Sequence, residues 1–128
     1  MFEASHTYAV RGTGKYLTII EAIHQGRRYY QGYEADTLDG AWRPAGATWD
    51  APFAGKTNVS ETAGHWTDSF SHGELFRAGV DQTMEIESQG LRMLFQGVAD
   101  EDMRGKPYGE IPWRLGVLSP TLETGEKP

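Results

Sequence analysis

The stretch KYLTIIEAIHQGRRYYQGYEA, residues 15–35, decides the fold class of this chain. Residues 15–23 are rich in β-branched side chains and predict a strand, and the tyrosine-rich residues 28–35 predict another. Between them, residues 24–27 contain a glycine and predict a turn. Residues 8–10, which precede another glycine-rich turn, predict a strand before this pair. Together these segments predict an antiparallel meander.

The rest of the chain has the same character. Residues 83–87 and 91–98 predict a hairpin with a turn over 88–90, because apolar side chains alternate along its second strand. Residues 113–118 predict a last strand, whereas residues 48–64 carry proline and glycine and predict a loop. No segment has a helical period, so we predict an all-β chain of roughly six or seven strands. A sandwich, a barrel and a propeller are all compatible with that number.

Composition excludes several classes of protein. The chain has 128 residues with 16 glycines, 4 tryptophans and 6 tyrosines, which is too aromatic for a disordered chain. Its net charge of −6 argues against a nucleic-acid partner, and the adjacent basic pair Arg27-Arg28 lies at a predicted turn. No cysteine is present to form a disulfide, and no apolar run approaches the ~18 residues that span a membrane. Residues 1–5 have neither the basic nor the apolar region of a signal peptide.

Two carboxylates have surroundings that suit a general acid. With 18 acidic residues in the chain, a carboxylate by itself indicates nothing. A carboxyl on a rigid, mostly apolar element is better suited to acid catalysis, because desolvation favours its protonated form. Glu3 lies between Phe2 and Ala4, and Glu21 lies inside an apolar predicted strand. On the residues alone, Glu3 and Glu21 are equal candidates.

The segment SHGELFRAGVDQTM, residues 71–84, concentrates polar side chains beside apolar ones. His72, Glu74, Arg77 and Asp81 fall within a dozen residues of one another and predict a buried polar network. A histidine with carboxylates could instead bind a metal, but the spacing matches no zinc signature. The structural network is therefore the preferred interpretation of the spacing alone.

Several aromatic side chains could stack on sugar rings, although most aromatic residues in a chain of this size belong to the core. Tyr108 is the best of them, because it follows Lys106-Pro107 in a loop where core packing is less demanding. The other candidates are Trp42, Trp49, Trp66 and Trp113.

Seven motifs in order resemble one known family. They are FEAS (2–5), GKYLTIIEAI (14–23), LDGAW (38–42), FAGKTNV (53–59), SHGE with GVDQTM (71–84), LFQG (94–97) and PYGEIPWRLGVL (107–118). Together they resemble the C-terminal portion of glycoside hydrolase family 62, whose members are α-L-arabinofuranosidases. The resemblance covers residues 2–118, nearly the whole chain.

The resemblance implies a fold, an activity and a cofactor. It implies a five-bladed β-propeller, of which residues 1–118 would form about the last two to three blades. The composition of residues 119–128 predicts a flexible tail. The resemblance further implies a calcium ion near the propeller axis, and inverting hydrolysis of single arabinofuranosyl branches from arabinoxylan or arabinan. A polymeric substrate implies secretion, and the full-length enzyme would be a monomer.

The resemblance also implies roles for particular residues. Glu3 in FEAS would be the general acid, and His72 in SHGE would lie beside the metal. Tyr108 would line the substrate cleft and Arg77 would reach the arabinose pocket, while Glu21 would be an ordinary strand residue. Gly109 follows Tyr108 where the family usually has asparagine, which removes one hydrogen-bonding side chain from the cleft.

The family's catalytic base and the aspartate that tunes the acid belong to a region upstream of FEAS. Blades of ~40–45 residues need about 200 residues for a five-bladed propeller. We therefore expect this chain to be a fragment, or to begin at an internal methionine, and to be inactive alone. Two other interpretations stay open: a non-catalytic carbohydrate-binding fragment, and a related propeller glycosidase of the family 43 type.

Overall fold

The computed structural model describes residues 3–121. Its strands and its single short α-helix follow one another along the chain as β1 (Glu3–Val10), β2 (Lys15–His24), β3 (Arg27–Ala35), β4 (Arg43–Pro44), β5 (Ser69–Leu75), β6 (Glu85–Ile86), β7 (Met93–Val98), α1 (Asp100–Met103) and β8 (Arg114–Leu118). One turn of 3₁₀ helix covers Tyr108–Glu110. No helix in this part of the chain is long and apolar enough to cross a membrane.

The first sheet confirms the meander predicted from residues 15–35. It has the order β4-β3-β2-β1-β6, in which β1, β2 and β3 pair antiparallel in chain order. The turn between β2 and β3 places Gln25 and Gly26 at φ 50° and 80°, a region that glycine enters without strain. At the far edge β6 pairs in parallel with β1, where Arg11 contacts Glu85 and Glu87.

The second sheet has the order β5-β7-β8 and is antiparallel throughout. It packs on the first sheet through a shared core of Tyr8, Ile19 and Tyr30 from one side and Leu75 and Met93 from the other. Burial of these apolar side chains is the main stabilising contribution to the contact between the sheets.

Two tyrosine hydroxyls tie the sheets together across the core. Tyr8 Oη accepts a hydrogen bond from the backbone N–H of Leu75 at 3.1 Å, and Tyr30 Oη accepts one from Gly73 at 2.5 Å. Burial raises the pKa of Tyr8 to about 12 and raises that of Tyr30 as well, so both hydroxyls keep their protons. Backbone groups of β5 that would otherwise lack partners are thereby satisfied.

An ionic network fastens the long loop before β5 to α1. Asp68 is buried and accepts hydrogen bonds from Lys56, from His65 Nε2 at 3.2 Å and from the backbone N–H of Asp100 at 2.8 Å. His65 Nδ1 lies 2.6 Å from Glu61. Burial alone would raise the pKa of Asp68, but these donors outweigh it and lower the pKa to about 2. The bonds to Glu61 and then Asp68 raise the pKa of His65.

The predicted hairpin over residues 83–98 is wrong. β6 pairs with β1 in the first sheet, whereas β7 pairs with β5 and β8 in the second. The sequence analysis also missed β5 as a strand, because its polar side chains and its glycine hid the apolar alternation. Strand pairing here depends on contacts distant in sequence, which a local pattern does not contain.

The prediction of a buried polar network in residues 71–84 is also wrong about which residues are buried. The side chains of His72, Glu74 and Arg77 are each about half exposed or somewhat less, and Asp81 is exposed. The buried polar residues here are Ser71, at the start of the segment, and Glu21, from the neighbouring sheet.

The prediction of an all-β chain of six or seven strands is confirmed in its main point, because residues 3–121 are mostly β-sheet, with eight strands and the four-residue helix α1. Neither sheet is closed within residues 3–121, so the five-bladed propeller and its last two to three blades stay predictions. Of the predicted flexible tail, residues 119–121 lie outside any helix or strand, and residues 122–128 lie outside the described residues.

Candidate active site

Glu21 lies at the centre of a buried polar cluster between the two sheets. It is 1% exposed, and both of its carboxylate oxygens accept hydrogen bonds. Oε1 accepts from the backbone N–H of His72 at 2.8 Å and from Ser71 Oγ at 3.1 Å, and lies 3.4 Å from Tyr30 Oη. Oε2 accepts from Arg28 Nη1 at 2.6 Å. A buried carboxylate requires such donors and a cation, because an isolated buried charge is very costly.

Arg28 joins the buried carboxylate to an exposed one. Its Nη1 lies 2.6 Å from Glu21 Oε2 and also 2.6 Å from Glu3 Oε1. Burial alone would lower the pKa of Arg28, but the hydrogen bonds to Glu21 and Glu3 outweigh it and raise the pKa. The guanidinium is therefore charged and holds Glu3, whose side chain is 41% exposed.

The strand register explains why these groups meet. Glu3 and Glu21 are Cα partners on β1 and β2, and Arg28 on β3 lies diagonally from Glu21, opposite Ile23. Diagonal neighbours on one face of a sheet are within reach of long side chains. A register irregularity follows Glu3, and Ala4 has φ 50°, so the end of β1 departs from a regular strand next to the carboxylate.

His72 lies on a second irregularity, in β5. The pairing of β5 with β7 shifts between Ser71 and Glu74, and His72 has φ 46°, an uncommon conformation for a residue other than glycine. Its Nδ1 lies 2.8 Å from Ser71 Oγ and 3.1 Å from Gln96 Nε2. The backbone N–H of His72 is turned toward Glu21, and the imidazole is half exposed.

Two aromatic rings lie beside Arg28. The guanidinium carbon is 5.9 Å from the ring centroids of both Tyr108 and Trp113, within the range of a cation–π interaction. Tyr108 is 61% exposed, so its ring is open to a ligand from solvent. The cluster therefore combines the Glu3 carboxylate, which is paired with Arg28, the half-exposed imidazole of His72 and the exposed ring of Tyr108.

Arg77 does not join this cluster. Its Nε lies 3.5 Å from Glu74, and its Nη1 lies 3.7 Å from Met84 Sδ, beyond the end of β5 that is remote from Ser71. Among the predicted site residues, Glu3, His72 and Tyr108 are therefore grouped around Arg28 and Glu21, and Arg77 is not.

The sequence analysis missed the cation that organises the site. Arg28 lies in β3, in agreement with the strand predicted over residues 28–35, but no role was predicted for it, and Ser71 and Gln96 were not singled out. One signal in the sequence was available. Arg28 begins a tyrosine-rich predicted strand, and the preceding predicted strand carries Glu21 among apolar residues. A charge in such a position has to be paired when the strand is buried.

The described residues do not by themselves fit a calcium ion. Calcium takes six to eight oxygen ligands. Within residues 3–121 no group of three or more His, Cys, Asp or Glu side chains could hold a metal. His72 offers a nitrogen, and Gln96 Nε2 already donates toward its Nδ1.

Solved structures similar to this chain belong to one enzyme family. The catalytic domain of a Coprinopsis cinerea GH62 α-L-arabinofuranosidase matches with a TM-score of 0.85 and 39% identity over 91% of this chain and 37% of that one. A GH62 hydrolase in complex with xylotriose matches with a TM-score of 0.84 and 37% identity, over 92% of this chain and 37% of that one. A Podospora anserina α-L-arabinofuranosidase in complex with cellotriose matches with a TM-score of 0.83 and 36% identity, over 91% of this chain and 36% of that one.

Sequence comparison agrees with the structures. Alpha-L-arabinofuranosidase C of Cellvibrio japonicus (strain Ueda107) is 40% identical over 118 residues, which are 92% of this chain and 19% of that protein. The chain thus spans about a fifth of that relative and somewhat over a third of the solved domains. The family described as Glycosyl hydrolase family 62 matches residues 1–119. This chain therefore belongs to glycosyl hydrolase family 62.

Proposed function

We propose that this chain supplies the general acid, Glu3, of an enzyme that hydrolyses terminal α-L-arabinofuranosyl side groups of arabinoxylan or arabinan. The observation that carries the proposal is the exposed Glu3 carboxylate, held by Arg28, whose guanidinium also lies beside the rings of Tyr108 and Trp113. The curated relative is named as an α-L-arabinofuranosidase, and two similar solved structures are complexes with xylotriose and cellotriose.

A glycosidase of this kind needs a second carboxylate, and Glu21 is unsuited to that role. Both Glu3 and Glu21 lie 2.6 Å from one nitrogen of Arg28, so the bonded oxygens are at most about 5 Å apart. Inverting enzymes separate their carboxyl groups by about 6.5–9.5 Å to admit a water. Glu21 is also buried, with both oxygens occupied by donors.

We therefore assign the water-activating carboxylate to the part of the family domain that this chain does not span. Glu3 would protonate the leaving oxygen while that carboxylate removes a proton from the attacking water, with inversion at the sugar carbon. Tyr108 would stack against substrate in the cleft. Arg77 would reach the arabinose only if the remaining part of the domain brings the sugar toward Glu74.

Calcium and secretion remain predictions from the family. His72 would contribute one ligand to the ion, and the oxygen ligands would come from water or from residues outside this chain. Secretion follows from the size of a polysaccharide substrate, and a monomeric full-length enzyme is expected.

A chimera tests the proposed acid. Residues 3–121 would replace the matching part of the Coprinopsis cinerea catalytic domain, and arabinose release from wheat arabinoxylan would be measured. Glu3→Gln is expected to lower kcat by about 10²–10⁴-fold, the typical contribution of a general acid. Glu34→Gln is the matched control, because Glu34 has a side-chain exposure of 42% and lies on β3, away from the cluster.

The proposal fails if the Glu3→Gln chimera keeps the arabinose release of the unsubstituted chimera. The 128-residue chain alone is expected to release no arabinose, because the carboxylate that lies beside Glu3 within residues 3–121 is Glu21, which is unsuited to activate water. Arabinose release by the purified chain would contradict that assignment.

A non-catalytic carbohydrate-binding role is the second candidate, because Tyr108 is exposed and similar proteins are complexes with xylotriose and cellotriose. Titration of arabinoxylan oligosaccharides onto the chain separates the two roles. A pure binder would lose affinity on Tyr108→Ala and would show no activity loss in the Glu3→Gln chimera. The family 43 alternative is set aside by the match to family 62.

A further inference from the structure

Arg28 and Glu21 form a buried pair that continues to Glu3. The Arg28 side chain is 16% exposed, and its Nη1 lies 2.6 Å from each of the two carboxylates. Among residues 3–121, Glu3 makes no other side-chain hydrogen bond or ion pair. The orientation of the Glu3 carboxylate is therefore set by Arg28, and Arg28 is itself held from the buried side by Glu21.

The buried side of this arrangement is rigid. Ser71 and the backbone N–H of His72 occupy Glu21 Oε1, and Ser71 Oγ also lies 3.0 Å from Oε2. The guanidinium carbon is 5.9 Å from the centroids of both Tyr108 and Trp113. A cation fixed between a buried carboxylate and two rings leaves the Glu3 carboxylate little freedom of position.

A second arginine of this chain, Arg11, also bridges two glutamates, but it is not buried. Arg11 contacts Glu85 through Nε and Glu87 through Nη1, each at 2.8 Å. All three of these side chains are substantially exposed, and Arg11 lies at the far end of β1. Arg11 therefore provides an arginine that also bridges two glutamates but is remote from Glu3.

We propose that Arg28 and Glu21 are positioning residues for Glu3. Glu21 anchors the guanidinium, and the guanidinium holds the Glu3 carboxylate in one rotamer at the surface shared with Tyr108. This inference rests on the proposed role of Glu3 as the general acid. The arrangement matters for that role because an acid has to lie within hydrogen-bond reach of the oxygen that it protonates, and small displacements are costly in rate.

The side-chain rotamer of Glu3 tests the inference directly in the 128-residue chain. Three-bond NMR couplings from the backbone nitrogen and carbonyl carbon to Cγ report the χ1 angle of Glu3. We expect one χ1 rotamer in the unsubstituted chain and averaging over the staggered rotamers in Arg28→Met. Arg28→Lys is expected to retain one rotamer, because a single nitrogen of Arg28 makes both contacts. Arg11→Met is expected to leave Glu3 unchanged.

A double variant covers the case in which Arg28→Met does not fold. Glu21→Gln with Arg28→Met removes both buried charges, and Glu3 is again expected to average between rotamers. A single Glu3 rotamer in the folded double variant overturns the inference, and so does averaging in Arg11→Met to the same extent. The couplings are measured without substrate, so they test the positioning of Glu3 separately from its role as the acid. That role is tested by the effect of Glu3→Gln on arabinose release.

Discussion

Glu3 and Glu21 are direct partners across β1 and β2, although both are carboxylates. Like charges placed opposite each other destabilise an antiparallel pair. Here Arg28 lies 2.6 Å from both and supplies the opposite charge. Arg28, which compensates the two like charges, is therefore also the residue that holds Glu3 and lies beside Tyr108 and Trp113.

Removal of Arg28 is expected to destabilise the chain. Arg28→Met would leave the Glu21 carboxylate buried without its cation, which typically costs about 3–5 kcal/mol. Urea denaturation followed by circular dichroism would give the free energy of unfolding. Glu21→Gln combined with Arg28→Met should recover much of the lost free energy of unfolding, because no uncompensated buried charge remains.

Arg11→Met is the control for that measurement. Its ion pairs with Glu85 and Glu87 are exposed and screened by solvent, so its effect on the free energy of unfolding should be much smaller. Equal destabilisation by Arg28→Met and Arg11→Met would contradict the view that burial makes Arg28 important.

The hydroxyl of Tyr30 is expected to matter more than that of Tyr33. Tyr30→Phe would leave the buried N–H of Gly73 without its acceptor, at a cost of about 1–3 kcal/mol. The hydroxyl of Tyr33 donates only to the half-buried Gln31, so Tyr33→Phe should cost less. Urea denaturation of both variants gives the comparison, and equal costs would be evidence against the hydroxyl as a tie between the sheets.

The free energy of unfolding should be highest between pH ~4 and ~6.5, because Asp68 and His65 then both carry the charges that stabilise their network. The pKa of Asp68 is lowered to about 2, so its contribution is present above its ordinary value of ~3.9 and is lost as pH falls through 2. The pKa of His65 is raised, so its contribution is present below its ordinary value of ~6.5 and is lost as pH rises through the raised value.

Thermal unfolding from pH 2 to pH 9 checks this dependence. The Tm should rise between pH 2 and 4 and fall above pH 6.5. His65→Gln should flatten the fall at high pH and leave the rise at low pH in place. An unchanged fall in His65→Gln would show that another group causes it.

Gly116→Ala is expected to destabilise the second sheet. A Cβ at this position would lie 2.7 Å from ring atoms of both Phe95 and Trp66, and overpacking of this kind typically costs about 1–3 kcal/mol. Gly109→Ala is the control, because a Cβ there meets no atom within 4 Å. Both free energies of unfolding come from urea titration, and equal values would refute the close approach of the two rings to β8.

The first sheet was largely predictable from local sequence. The β-branched residues of β2, the tyrosines of β3 and the turn at Gln25-Gly26 are adjacent in sequence, so their pairing requires only short loops. The motif resemblance likewise indicated Glu3, His72 and Tyr108, and the structure groups these three residues, while their roles stay predictions. The strand β5 was not predictable in the same way, because its bulge at His72 interrupts the alternation.

The sequence by itself determined the all-β class, the central meander and the family, because these depend on side-chain types at neighbouring positions. Only the tertiary structure decided that β6 and β7 belong to different sheets, and that Glu21 is a buried anchor rather than an ordinary strand residue. It also decided that Arg28 connects Glu21 to Glu3. The physical reason is that the interaction of two charges depends on their separation and burial, and both are set by strand register and sheet packing rather than by distance along the chain.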